Sequence, residues 1–102
     1  MQDKDDEFYE RADAHIHLSN DQVTKDIERG KVSASFLYGA ARYNAYISAT
    51  GCDSQDEMIS AKEKAMDYFV SEYRKMFEEH YDNYTENYEK YMGTSVKTSQ
   101  IN

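Results

Sequence analysis

Apolar residues recur every three or four positions along most of the chain, which is the spacing that builds one face of a helix. Three such segments predict helices at about residues 6–29, 33–50 and 55–92. Gly30, Gly51 and Gly93 fall where these segments end, and the sequence contains no proline. We therefore expect an all-α fold, a three-helix up-down-up antiparallel bundle in one domain of residues 1–92, followed by a disordered tail at 93–102.

The predicted helices differ strongly in length. At 1.5 Å per residue, they measure about 36, 27 and 57 Å in chain order. Because the two shorter helices can cover only about half of the third, the C-terminal end of the long helix is expected to overhang the bundle.

The overhanging end carries a row of aromatic residues, Phe77, Tyr81, Tyr84, Tyr88 and Tyr91. Tyr81 and Tyr88 occupy one core position of a heptad repeat, and Tyr84 and Tyr91 occupy the other. The row suits an oligomer seam, a docking stripe for another protein's helix, or a core stripe covered by the tail. We favour the seam, because tyrosine packs its ring while its hydroxyl stays hydrated. The simplest partner is a second copy, giving a homodimer.

The net charge of -8 argues against direct binding to nucleic acid. No apolar run is long enough for a membrane span, and the N-terminus lacks the features of a signal peptide. A single cysteine, Cys52, cannot form an internal disulfide. A cytoplasmic protein is therefore expected. The same acidic charge supports an alternative function, that of an acidic adaptor for a basic protein partner, and such binding would weaken at high salt.

The middle segment, from Lys31 to Cys52, contains two basic residues and no acidic ones. A helix without a charged face is usually covered on most sides, so we expect it to lie centrally. Arg42 then needs a carboxylate, which an acid of the first or third predicted helix could supply. Alternatively, Tyr38, Arg42 and Tyr46 form a patch for an anionic ligand. We favour the structural ion pair.

Metal and catalytic chemistry receive little support from the sequence. Glu10, Asp13 and His17 share one helical face, but ligands from a single helix make an incomplete metal site. A small-ligand or metal-binding protein thus remains the weakest alternative. No acid–base pair, phosphate loop or nucleophile with a base can be identified, so we expect a protein that is not an enzyme, with no catalytic residues, cofactor or bound metal.

Three segments resemble a family of small bacterial proteins known as a domain of unknown function. They are FYERADAHIHLSNDQ, ERGKVSASFLYGAARYNAYISA and YFVSEYRKMFEEHYDNYTENYEKYM. The resemblance spans roughly residues 7–92, and the middle segment is its most specific part. It implies a bacterial, cytoplasmic helical protein and brings no activity, cofactor or site residue.

Overall fold

The computed structural model describes residues 4–93, which form four helices and no strand. The helices are α1 (Phe8–Gln22), α2 (Arg29–Thr50), α3 (Gln55–Glu86) and α4 (Tyr88–Met92). The predicted all-α class is therefore confirmed. Apart from Gly93, the predicted disordered tail lies outside the described residues.

The first helix is shorter than its apolar pattern predicts. It ends at Gln22 rather than near Arg29, and Val23 takes an extended conformation. The Thr24 hydroxyl then accepts hydrogen bonds from the backbone N–H groups of Asp26 and Ile27 at 3.3 and 3.1 Å. The Thr24 side chain thus stabilises a turn at the place where further backbone hydrogen bonds would have continued the helix.

Gly30 does not end a helix. It lies in the first turn of α2, and no glycine of the described chain has the positive φ of a left-handed cap. The predicted glycine stop at this position is wrong, because the Thr24 turn ends α1 earlier and α2 begins at Arg29.

The start of α3 follows the sequence closely. Ser54 is its N-cap, and the serine side chain accepts a hydrogen bond from the Glu57 backbone N–H at 3.1 Å. Asp56 and Glu57 occupy the first turn, where negative charge complements the helix dipole.

The predicted helix 55–92 is interrupted at Asn87. Its side-chain amide donates to the Asn83 carbonyl oxygen at 2.9 Å, while its backbone N–H donates to the same oxygen at 3.1 Å. An asparagine side chain that competes for helical acceptors favours helix ends. The last five helical residues therefore form α4, and the length argument for an overhang of one continuous helix no longer applies.

The chain divides into two compact units. Within the described residues, the first comprises 4–37 and 88–93, and the second comprises 38–87. The single domain and the up-down-up order of the helices stay predictions.

The first unit contains the buried core. Val32 is 5% exposed and is the one buried hydrophobic side chain of the described chain. In the same unit, the ring of His15 on α1 contacts the ring of Phe36 on α2, with centroids 6.1 Å apart. Helix α4 belongs to this unit, and its Tyr91 and Met92 are half-buried.

Candidate functional site

Helix α3 has two apolar faces. One face repeats every four residues through Ala61, Ala65 and Phe69, which are half-buried within the chain. The other face is exposed and contains Met66, Val70, Tyr73, Phe77 and Tyr81. Apolar spacing alone does not separate these two faces, because their residues together also fit one broad stripe. The number of apolar residues per turn could have distinguished the two faces, since a single face supplies only about two apolar positions per turn.

The exposed face carries three stacked rings, Tyr73, Phe77 and Tyr81, which we call the aromatic ladder. Neighbouring ring centroids are 5.8 and 5.7 Å apart, and both interplanar angles are 29°. The four-residue spacing places each ring one turn above the last. The rings are 48, 53 and 62% exposed, so the ladder is an ordered aromatic surface facing solvent.

The structure divides the predicted row of tyrosines. Phe77 and Tyr81 belong to the exposed face of α3, whereas Tyr84 is half-buried near the end of the same helix. Tyr88 and Tyr91 lie in α4 and belong to the other compact unit. Since the row does not form one continuous stripe on one helix, the candidate surface shifts toward the middle of α3. The role of these residues in an interface stays a prediction.

Helix α2 exposes a second apolar surface in the same unit as α3. Tyr43, Tyr46 and Ile47 lie on adjoining turns and are 63, 60 and 46% exposed. The Tyr43 and Tyr46 rings contact each other with centroids 6.1 Å apart. We call these three residues the α2 face. The expectation that the chain itself covers α2 on most sides is wrong for this part of the helix, because its uncharged surface is open.

The candidate ligand patch, Tyr38, Arg42 and Tyr46, is exposed at all three positions and follows one edge of α2. Arg42 makes no ion pair within residues 4–93. The expected pairing with an acid of the first or third predicted helix is therefore not found in the described chain. The patch has no enclosing walls, and its role as a ligand site stays a prediction.

The exposed face of α3 is bordered by acids on one edge. Glu63 lies three residues before Met66, Asp67 three before Val70, and Glu78 three before Tyr81, which places each carboxylate beside the apolar face. All three acids are exposed and make no ion pair with another described residue. Arg74 lies on the same edge, three residues before Phe77. The uninterrupted negative charge is therefore confined to the N-terminal part of the edge, at Glu63 and Asp67.

Two other carboxylates are paired. Lys75 Nζ donates to Glu72 Oε2 at 3.0 Å, and this bond lowers the pKa of Glu72 below its ordinary value. Arg11 donates to both oxygens of Asp5, at 3.0 and 3.4 Å, and lowers the pKa of that carboxyl in the same way. A positive partner favours the ionised form. Both pairs are local, and neither lies on the exposed face of α3.

A cleft of about 130 Å³ lies in the first unit, between α1 and the start of α2, with Ile16, Val23 and Phe36 among its lining residues. Its volume is well below the roughly 300 Å³ of the smallest usual ligand pockets. No group of three or more potential metal ligands occurs in the part of the chain that the structure describes. Across the same residues, no helix has the length and apolarity needed to cross a membrane.

Comparison with known proteins identifies the family of this chain. The sequence profile of a family described as "Protein of unknown function (DUF3144)" matches residues 8–85. The chain belongs to the DUF3144 family. The resemblance inferred from the three sequence segments is confirmed. No curated protein matches this DUF3144 chain significantly.

One solved structure similar to this DUF3144 chain is the NMR structure of the protein NB7890A from Shewanella sp. The two sequences are 35% identical, and the match covers 91% of this chain and 98% of that chain with a TM-score of 0.74. This likeness supports the helical fold and, like the family description, assigns no activity.

Proposed function

We propose that this protein is a non-enzymatic helical interaction protein that self-associates, and that the aromatic ladder of α3 packs against a second copy of the chain. One observation carries the proposal. Helix α3 exposes an ordered apolar face, while Val32 is the one buried hydrophobic side chain among the described residues.

The energetic argument starts from the small core. Fixing the backbone costs roughly 1–2 kcal/mol per residue, and folded domains offset that cost mainly by burying apolar side chains. One buried valine and several half-buried helix faces offset little of it. Packing between copies would supply the missing burial, as it does in homodimers whose monomers are not stable alone.

The size of the surface points the same way. Half-exposed aromatic rings present roughly 100 Å² each. Met66, Val70 and the ladder together then expose on the order of 500 Å², which is at the upper end of the apolar patches found on monomeric proteins. Covering this face removes an aggregation hazard as well as stabilising the fold.

Light scattering on the purified protein at concentrations from one to tens of micromolar tests the proposal. We expect a mass of twice the chain's 11.9 kDa. A monomer across the whole range would contradict self-association. In that case the unpaired acids along α3 would favour the alternative, an acidic adaptor whose basic protein partner dissociates at high salt.

A further inference from the structure

The exposed face of α3 is too small to form a stable dimer by pairing with itself. Two copies of this face would bury on the order of 1,000 Å², whereas stable interfaces bury about 1,200–2,000 Å² in total. A lasting dimer therefore needs a further surface from each copy.

The α2 face supplies an area of the right size. Tyr43, Tyr46 and Ile47 are each about half exposed or more, and together they present roughly 300 Å². A Cβ atom added at Gly39, one turn before Tyr43, would meet nothing within 4 Å, so this side of the helix is open. Adding the α2 face from each copy brings the buried area to about 1,600 Å², within the standard range.

Charge indicates which surfaces meet. From Lys31 to Cys52 the chain has two basic residues and no acidic ones, whereas α3 has nine acidic and four basic residues. Arg42 lies beside the α2 face without an ion pair in the described chain. Glu63 and Asp67 lie beside the exposed face of α3 and likewise make no ion pair in the described chain. A guanidinium at the rim of one surface and carboxylates at the rim of the other are complementary.

We propose that the α2 face of each copy packs against the exposed α3 face of its partner, with Arg42 paired to the carboxylate edge formed by Glu63 and Asp67. This inference rests on the proposed self-association. The interface is two-fold, so each copy offers both surfaces and the α2-to-α3 contact occurs twice. This contact would explain both why the α2 face is exposed in the single chain and why Arg42 makes no ion pair within the described residues.

A charge-reversal experiment tests the pairing. One variant carries Arg42→Glu, and the other carries Glu63→Lys together with Asp67→Lys. In each variant's own homodimer both contacts place like charges together, and we expect dissociation constants raised by about tenfold or more. In a mixture of the two variants, one contact pairs the reversed charges and the other pairs the natural ones. The mixture should therefore form heterodimers with nearly the affinity of the unmodified protein.

Sedimentation equilibrium on each variant and on their equimolar mixture gives the readout. Arg42→Lys serves as the matched control, since it keeps the positive charge and should dimerise within a few-fold of the unmodified protein. Circular dichroism checks that helicity is kept, which we expect because all three substituted side chains are exposed.

The outcomes separate the two claims. Weakened homodimers that recover on mixing support the α2-to-α3 contact. If the unmodified protein dimerises but the variants dimerise equally well, or stay weak when mixed, the α2-to-α3 contact is wrong while self-association stands. If the unmodified protein is a monomer at tens of micromolar, the proposed function and this inference both fail.

Discussion

Replacing Phe77 with serine should dissociate the protein while leaving its helices intact. Phe77 is the middle ring of the ladder, stacked on Tyr73 and Tyr81, and its side chain is 53% exposed. Serine and phenylalanine have similar helix propensities. The substitution therefore removes apolar surface that self-association would bury, without a large effect on the stability of α3 as a helix.

The exposed fraction of Phe77 sets the magnitude. About half of a phenylalanine ring corresponds to roughly 100 Å², worth about 2.5 kcal/mol if it is fully removed from water. The serine side chain keeps part of this contact area and the interface relaxes around it, so the loss is about 1.5 kcal/mol per copy. A dimer loses this contribution twice, about 3 kcal/mol, so the dissociation constant should rise roughly 100-fold.

Sedimentation equilibrium at several concentrations measures the dissociation constant, and far-ultraviolet circular dichroism follows helicity. The chain also offers a tyrosine pair for a matched control, because Tyr81 and Tyr9 are 62 and 63% exposed. Tyr81→Ser should weaken the dimer, whereas Tyr9→Ser on α1 should not.

Two results would refute this reasoning. A Phe77→Ser protein that keeps its helicity and dimerises within threefold of the unmodified protein would show that the ladder is not an interface. A Phe77→Ser protein that loses its helicity would show instead that the ring stabilises the single chain.

Three further predictions concern single side chains of the described chain: the buried valine, the N-cap of α3 and an ion pair. Val32→Ala should lower the free energy of unfolding by about 1.5 kcal/mol, since two buried methyl groups are lost; an unchanged urea midpoint would contradict the assigned core. Ser54→Ala should cost about 1 kcal/mol through loss of the N-cap of α3, which thermal unfolding measures; no shift in Tm would argue against that cap. Arg11→Ala should raise the pKa of Asp5 toward its ordinary value, as followed by an NMR pH titration. In the unmodified protein the stabilising contribution of Asp5 is present above its unfolded pKa and is lost as pH falls through its lowered folded pKa; an unaltered Asp5 titration in the variant would contradict this pairing.

The helices themselves could largely be predicted from the sequence. Periodic apolar positions identify α2 and α3, and Ser54 followed by Glu57 marks the start of α3, as the structure shows. These signals are local, because a cap or a helical face depends on residues within one or two turns.

Helix ends determined by side-chain competition were harder to predict. The Thr24 turn and the Asn87 interruption both depend on a polar side chain bonding to nearby backbone groups in place of the helical pattern. Threonine and asparagine also occur inside helices without ending them, so residue type alone does not settle the outcome.

The candidate site was only partly predictable. Phe77 and Tyr81 were identified from their spacing, but the sequence pattern does not show which apolar face of α3 its own chain covers. Phe69 and Val70 are adjacent and both apolar, yet Phe69 is half-buried and Val70 is 64% exposed. That distinction depends on tertiary packing, which periodicity does not encode.

The most direct test of the central claim is an isotope-filtered NMR experiment on a mixture of labelled and unlabelled copies of the unmodified protein. If a second copy covers the ladder, nuclear Overhauser effects should connect the rings of Tyr73, Phe77 and Tyr81 in one copy to side chains of the other. Ring signals that show contacts only within one copy, at concentrations of hundreds of micromolar, would contradict the account.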